Sequence, residues 1–435
     1  MTVHYTDDKV TLHHGDCLGV LRSDENGYDF ALGYGSRRLF PDDSVDAVVT
    51  DPPYGIRFMG AAWDGTDIVA RHARGKETSP MPEGVGGPNG GYRSLAAEAG
   101  RYDRGTSANR YFQEWCEAWA AECLRVLKPG GHLLSFGSPR TWHRLTSAVE
   151  DAGFEIRDSI AWLYGSGFPK SLDVSKAAEA EAWKGWGTAL KPAFEPVVVA
   201  RKPLAGTVAS NVLAHGTGAL NIDATRVNSH SGGPGTTPRS SVDGRRESMA
   251  GAMDRVEYDG SKGRWPTNVV LDESQADVLD QQSGERPAGG KVTGNQTSRT
   301  GASGIYSEYG AVENSPYGDT GGASRFFPMF RYEAKAGSSE RPNVNGAVHP
   351  TVKPLALMRW LVRLVTPPGG VVLEPFAGSG TTVEACLIEG FRCLAIEREA
   401  EYLPLILARV HRRRDAVAAI RLNGEDLGLF GLDPA

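Results

Sequence analysis

Val371-Val372-Leu373-Glu374-Pro375-Phe376-Ala377-Gly378-Ser379-Gly380-Thr381-Thr382 is the stretch on which the fold turns. Val371 to Glu374 follows the breaker Pro367-Pro368-Gly369-Gly370 and reads as a short buried strand. Phe376 to Thr382 is a glycine-rich turn, and Val383 to Glu389 opens a helix. Strand, G-x-G turn and helix in this order set backbone N–H groups and a helix N-terminus against a ligand. Glycine allows the close approach. The next strand, Arg392 to Glu397, ends in an acid suited to accept hydrogen bonds from a ribose diol. Val383 stands where a dinucleotide fingerprint needs a third small residue, and no lysine follows the turn as in a P-loop. NAD and ATP both lose ground, a nucleoside-containing ligand remains, and a plain tight βα turn is the alternative.

Only 55 residues follow Gly380, room for one more strand and two helices, the last from Tyr402 to about Ile420. A doubly wound sheet cannot finish there, so its other strands must come from the N-terminal half. Val45 to Thr50 (VDAVVT) is such a strand, and it ends at Asp51-Pro52-Pro53-Tyr54. Two prolines stiffen that loop and restrict the residue before them. The arm presents a carboxylate, free carbonyls and an aromatic face, a set suited to a flat heterocycle with an exocyclic amino group. An ordinary Pro-Pro loop with a surface acid is the alternative. If one sheet joins both halves, the arm and the glycine turn share the rim where open α/β sheets bind ligands.

Between these landmarks, Phe112, Trp115, Cys116, Trp119, Ala120, Cys123 and Leu127 recur at helical spacing and predict a core-facing stripe. Pro129-Gly130-Gly131 is expected to stop that helix, with His132 to Phe136 as the next strand. A helix from about Pro139 to Ala152 and a strand from Glu155 to Leu163 continue an alternation that predicts a parallel sheet. Residues 65–108 are glycine-rich and read as a long loop, and 166–342 is irregular, with short apolar pieces such as Pro196 to Ala200. Leu355 to Val365 is again apolar and helical in period.

Composition bounds the class. The chain has 435 residues, 40% hydrophobic and 23% charged, enough for a substantial core. Its net charge of −6 neither announces nor excludes nucleic acid, since local patches matter more than the total. Five scattered cysteines without a C-x-x-C pair argue against a disulfide framework or a zinc site, and no metal is expected. The first residues lack the pattern of a signal peptide and no apolar run is long enough for a membrane span, so a cytoplasmic protein without membrane contact is expected.

Taken together, the arm and the glycine turn resemble the S-adenosylmethionine-dependent DNA amino-methyltransferases of the permuted β order. In that family an Asp-Pro-Pro-Tyr arm comes first, a target-recognition region follows and a Phe-x-Gly-x-Gly loop comes last. Two further stretches match: His14-Gly15-Asp16-Cys17 and His349-Pro350-Thr351-Val352-Lys353-Pro354. The resemblance implies an α/β, Rossmann-like methyltransferase sheet assembled from residues 1–165 and 343–435, with 166–342 as an inserted target-recognition region. It implies catalytic roles for Asp51, Pro52, Pro53 and Tyr54. It implies S-adenosylmethionine contacts from Asp16, Thr351, Lys353, Glu374, Phe376, Ala377, Gly378, Ser379, Gly380, Thr381 and Glu397. Double-stranded DNA is the implied partner, dimers are common in the family, and the absence of a nuclease-type motif favours a stand-alone methylase. Asp at the head of the arm resembles the adenine-N6 enzymes; cytosine-N4 members more often carry Ser.

The rival readings are the same chemistry on RNA or a protein amide, a non-catalytic DNA-binding relative and, more distantly, an NAD oxidoreductase. Arg409, Arg412, Arg413 and Arg414 read as a solvated helix face, with phosphate contact as the alternative. Lys170, in Trp162 to Lys170, reads either as a DNA contact or as part of a structural turn.

Overall fold

A computed structural model describes residues 2–24, 38–56, 64, 106–165, 167, 171–177, 181–227, 235–237, 256–258, 263–287, 320–330 and 341–422. The strands in chain order are β1 (Thr2–Thr6), β2 (Val10–His14), β3 (Val45–Thr50), β4 (Leu127–Phe136), β5 (Glu155–Leu163), β6 (Phe194–Arg201), β7 (Gly235–Thr237), β8 (Val256–Tyr258), β9 (Val269–Asp272), β10 (Arg286–Pro287), β11 (Thr320–Gly321), β12 (Met329–Phe330), β13 (Val371–Glu374) and β14 (Arg392–Glu397). The helices are α1 (Cys17–Leu21), α2 (Thr106–Val126), α3 (Trp142–Asp151), α4 (Val174–Ala177), α5 (Val208–His215), α6 (Glu273–Ser283), α7 (Leu355–Val365), α8 (Thr381–Ile388) and α9 (Leu403–Leu422).

The chain divides into two compact units, one of residues 1–221, 268–272 and 330–435, the other of 222–267 and 273–329. The boundary expected at 166 therefore falls at 222, because β6, α4 and α5 belong to the first unit. In the second unit, β10 pairs with β11 and β7 with β8, and Asp280 on α6 accepts from the Ser324 backbone N–H and hydroxyl, both at 2.7 Å. The expected loop 65–108 up to residue 105 and Lys170 lie outside the described residues.

One sheet does join both ends of the chain, in the order β1-β2-β14-β13-β3-β4-β6-β5-β9-β12. From β2 to β4 the neighbours run parallel. The expectation of a parallel sheet fails beyond β4, where β6 lies antiparallel between β4 and β5. Sequence alternation cannot reveal such an insertion, because Val197 to Ala200 is buried on both faces and reads as one apolar run. The helix α2 also ends earlier than expected, at Val126. Lys128 to Gly131 joins the strand instead, since the Gly130 N–H donates to the Lys202 carbonyl and the Lys202 N–H to Gly131.

Alternate residues of each central strand point to opposite faces, as a pleated strand requires. Ala47, Val49, Val197, Val199 and Val372 pack under α7, α8 and α9. Val48, Val198, Ala200 and Leu373 pack under α1, α2 and α3. Helices of the N-terminal half thus cover one face and helices of the C-terminal half the other. The Phe112, Trp115 and Trp119 stripe is buried as expected, with Trp115 and Trp119 rings 5.6 and 5.5 Å from the Phe376 ring.

Candidate active site

β13 and β3 are adjacent and parallel, yet the chain leaves them in opposite directions: through α8 to β14 on one side, and through α2 to β4 on the other. Their carboxyl ends diverge into the crevice where open α/β sheets bind ligands. The Thr50 hydroxyl at the end of β3 donates to Glu374 Oε1 at the end of β13 and ties the two halves at this point. Glu374 Oε2 accepts from Thr382 at 2.6 Å, and Oε1 also accepts from the Phe376 N–H at 3.1 Å. Both oxygens of Glu374 are thus spent on fastening the glycine turn. Burial pushes its carboxyl up to about 8 despite these donors.

In the turn, Gly378 and Gly380 have φ of +51° and +80°, the left-handed region that favours glycine. A Cβ on Gly378 would stand 3.1 Å from His349 Nε2, and one on Gly380 would stand 3.0 Å from the Ile406 Cα. Val383, the residue that departs from the dinucleotide fingerprint, is wholly buried in the core. Ala377 is buried, and the Ser379 and Thr381 hydroxyls lie 3.1 Å apart. Glu397 accepts from the Gly378 N–H at 2.6 Å through Oε2 and from the Glu399 N–H at 2.7 Å through Oε1. Burial raises it to about 7. Asp16 caps α1 through the Leu18 N–H at 3.2 Å, and the Gly15 N–H donates to the Glu397 carbonyl, so Asp16, just past the end of β2, and Glu397, the last residue of β14, stand on one rim.

The arm is held as a unit. Tyr54 donates its hydroxyl to Asp51 Oδ1 at 2.8 Å and lies 3.0 Å from Glu195 Oε2, while its carbonyl accepts from Thr141 at 2.8 Å. Pro52 is buried and Pro53 half-buried between them. Lys353 Nζ reaches Asp51 Oδ2 at 2.5 Å, Tyr54 Oη at 3.2 Å and Glu195 Oε2 at 3.3 Å. Burial alone would lower the Lys353 ammonium, but the Asp51 and Glu195 carboxylates outweigh it and hold the group above its ordinary value. Burial, with the same two carboxylates, raises the Tyr54 phenol well above 10, so it keeps its proton.

Lys353 was expected on the cofactor; the structure spends its ammonium on the arm. The segment containing it clasps both sites. His349 sits over Gly378 with its ring 4.6 Å from Tyr402, its Nδ1 lies 3.3 Å from the Thr351 N–H, and four residues on Lys353 grips Asp51. Sequence reading missed Glu195, and it quoted His349 within the matching stretch 349–354 without giving it a role. The only signal for Glu195 is an acid at the mouth of the apolar run Pro196 to Ala200.

Of the basic cluster on α9, Arg409 departs from the expected solvated face, while Arg412 and Arg414 are exposed and paired with acids. Arg409 is buried, donates to the Ser379 carbonyl at 2.8 Å and pairs with buried Glu384; Arg412 joins the same carboxylate at 2.6 Å, and Arg414 pairs with Asp7 at 2.6 Å. An arginine packed under the sheet needs such partners. All five cysteines are buried and free. Among the described residues no group of three or more His, Cys, Asp or Glu is placed to hold a metal ion, and no helix is long and apolar enough to cross a membrane.

Comparison with known proteins places these features. The family model described as DNA methylase, of the N6/N4 type, matches residues 45–408, more than four-fifths of the chain. Type II methyltransferase M.HindIII of Haemophilus influenzae is 29% identical over 194 residues, 41% of this chain and 59% of that protein. DNA adenine methyltransferase YhdJ of Escherichia coli is 40% identical over 62 residues, 14% of this chain and 21% of its own. The chain thus spans about three-fifths and one-fifth of the length of these two curated relatives. Among solved structures, the PvuII cytosine-N4-specific DNA methyltransferase covers 98% of both chains at 14% identity with a TM-score of 0.43, and the M1.HpyAVI–SAM complex covers 92% of this chain and 98% of its own at 15% with a TM-score of 0.37. With a family match that runs from the strand before the arm to the helix behind the glycine turn, the chain belongs to the N6/N4 DNA methylases.

Proposed function

We propose that this chain transfers the methyl group of S-adenosylmethionine to the N6 amino group of adenine in double-stranded DNA. The observation that carries the reading is the adjacency of the arm and the glycine turn at one switch point, fastened by Thr50 and Glu374. The turn suits the donor. Its two left-handed glycines bring backbone close, the first-turn N–H groups of α8 have no partner within the helix, Glu397 ends the neighbouring strand β14, and Asp16 follows the end of β2 beyond it. When bound, S-adenosylmethionine supplies an electrophilic sulfonium methyl. Phe376, backed by Trp115 and Trp119, and Ala377, Ser379 and Thr381 would line its nucleoside end, and Thr351 its methionine end.

The chain's own work is to orient the amine. A flipped base leaves the stack at a cost of a few kcal/mol, and the Tyr54 ring, flanked by Pro53, is the face on which it would stack, returning ~1–3 kcal/mol. Asp51 and the Pro52 carbonyl would accept the two amino N–H bonds, turning the nitrogen lone pair toward the methyl. The nitrogen that takes the methyl would release one proton, with the Asp51 carboxylate as its nearest acceptor. Orientation of this kind is worth ~7–11 kcal/mol of barrier. Adenine is favoured by Asp at the head of the arm and by the name of the E. coli relative. The type II name of the H. influenzae relative supports a place in restriction–modification.

The test is methyl transfer from labelled S-adenosylmethionine to unmethylated duplex DNA with nucleoside analysis of the product. N6-methyladenine from the wild type and none from Asp51→Ala, with donor binding retained, is expected. N4-methylcytosine would overturn the choice of base, and a folded protein that does not bind the donor would overturn the reading.

A further inference from the structure

Each Asp51 oxygen already carries one donor, so an incoming amino N–H would have to share Oδ1 with the Tyr54 hydroxyl. Tyr54 occupies Oδ1 at 2.8 Å and Lys353 occupies Oδ2 at 2.5 Å. A phenol has one hydroxyl proton and serves one acceptor at a time, yet the Tyr54 oxygen has two carboxylates in reach, Asp51 at 2.8 Å and Glu195 at 3.0 Å. An ammonium has three protons, so Lys353 can hold both acids together.

We propose that Glu195 is a positioning residue that takes the Tyr54 hydroxyl proton from Asp51 when a base enters, freeing Oδ1 to accept the amino N–H. The inference rests on the methyltransferase reading and names a residue that serves it. Rotation about the Tyr54 C–O bond suffices; no heavy atom has to move. Lys353 stays on Oδ2 through the exchange. Glu195 is well placed for this. It enters the rim on β6, whose Pro196 carbonyl accepts from the Gly137 N–H at 2.9 Å, and its backbone is in register with Trp162 of β5. The Asp51 and Glu195 side chains are 22% and 21% exposed, so neither is sealed from an incoming base. The Tyr54 phenol keeps its proton under these conditions and has one to move.

The experiment is single-turnover methyl transfer to duplex DNA by the full chain, with S-adenosylmethionine affinity and thermal midpoint measured alongside. Glu195→Ala leaves Tyr54 with Asp51 as its acceptor, so the rate should fall roughly 10- to 100-fold, the size of one hydrogen bond to a charged group, with donor affinity within about twofold. Glu195→Gln is isosteric and keeps a carbonyl acceptor, so it should recover most of the rate and serves as the test if the alanine variant does not fold. In a Tyr54→Phe background there is no proton to move, and Glu195→Ala should change the rate by less than about threefold. A Glu195→Ala rate within about twofold of the wild type overturns the inference. So does a loss that persists undiminished in the Tyr54→Phe background, or one matched by lost donor affinity. Absence of transfer by the wild type instead overturns the methyltransferase reading, and the inference with it.

Discussion

Replacing Arg409 by methionine should damage the protein at a buried ion pair. The Arg409 side chain is 1% exposed, its Nε donates to the Ser379 carbonyl at 2.8 Å, and its Nη1 pairs with Glu384, itself 5% exposed. Breaking a buried pair by removing one partner costs about 3–5 kcal/mol. Arg412 continues to neutralise Glu384 at 2.6 Å, which pulls toward the lower figure, but it is 43% exposed and its attraction is screened. The abandoned Ser379 carbonyl adds ~1–3 kcal/mol and pulls back up. A loss of about 3–5 kcal/mol is a large part of a typical ~5–15 kcal/mol total. Urea unfolding reads the loss, and a titration with S-adenosylmethionine reads its consequence in the glycine turn, where Ser379 sits. Combining Arg409→Met with Glu384→Leu removes the stranded carboxylate and should recover at least half of the lost stability. An Arg409→Met protein within ~0.5 kcal/mol of the wild type, the range of ordinary surface changes, would refute the reasoning; so would a double variant no better than the single one.

Gly380→Ala and Gly390→Ala share a left-handed backbone, with φ of +80° and +78°, but differ in space: a Cβ at 380 meets the Ile406 Cα at 3.0 Å, and one at 390 meets nothing within 4 Å. Gly390→Ala should therefore cost only about 1–2 kcal/mol of backbone strain, while Gly380→Ala should cost more and weaken donor binding at least about tenfold; equal losses by denaturant titration would contradict the packing argument. Burial raises Glu374 to about 8 and Glu397 to about 7, both above their unfolded value of 4.5. Their contribution to stability is full below that value and is lost as pH rises through 7 to 8, with a slope of up to ~1.4 kcal/mol per pH unit for each. Glu374→Gln, whose amide can face the Thr382 hydroxyl, should flatten that decline between pH 5 and 8, and an unchanged slope in urea melts would count against it. Lys353→Met should lower the transfer rate at least about tenfold while donor affinity stays within about twofold. Rapid-quench kinetics with a binding titration would check this, and a matching loss of donor affinity would return Lys353 to the cofactor.

The sequence by itself determined the local pieces and their order. VVLE before a glycine turn could only be a strand feeding a helix N-terminus, since Gly378 and Gly380 adopt a backbone that other residues resist. VDAVVT before two prolines could only end in a stiff arm. That both strands belong to one sheet is shown by the pairing of β13 with β3, which satisfies their backbone groups. The aromatic stripe of α2 was legible for the same reason, a period that repeats within one element.

What only the tertiary structure decided depends on residues far apart in the chain. Lys353 meets Asp51 across 302 positions and Thr50 meets Glu374 across 324. Charge and size alone do not say which of many acids a lysine will find. Glu195 became part of the site because β6 inserts antiparallel beside β4, a choice of strand order that leaves no periodic trace in an all-apolar run. Arg409 looked like one member of a basic helix face. Its burial follows from α9 lying against α8, where Glu384 and the Ser379 carbonyl offer partners that a surface arginine would have sought in water.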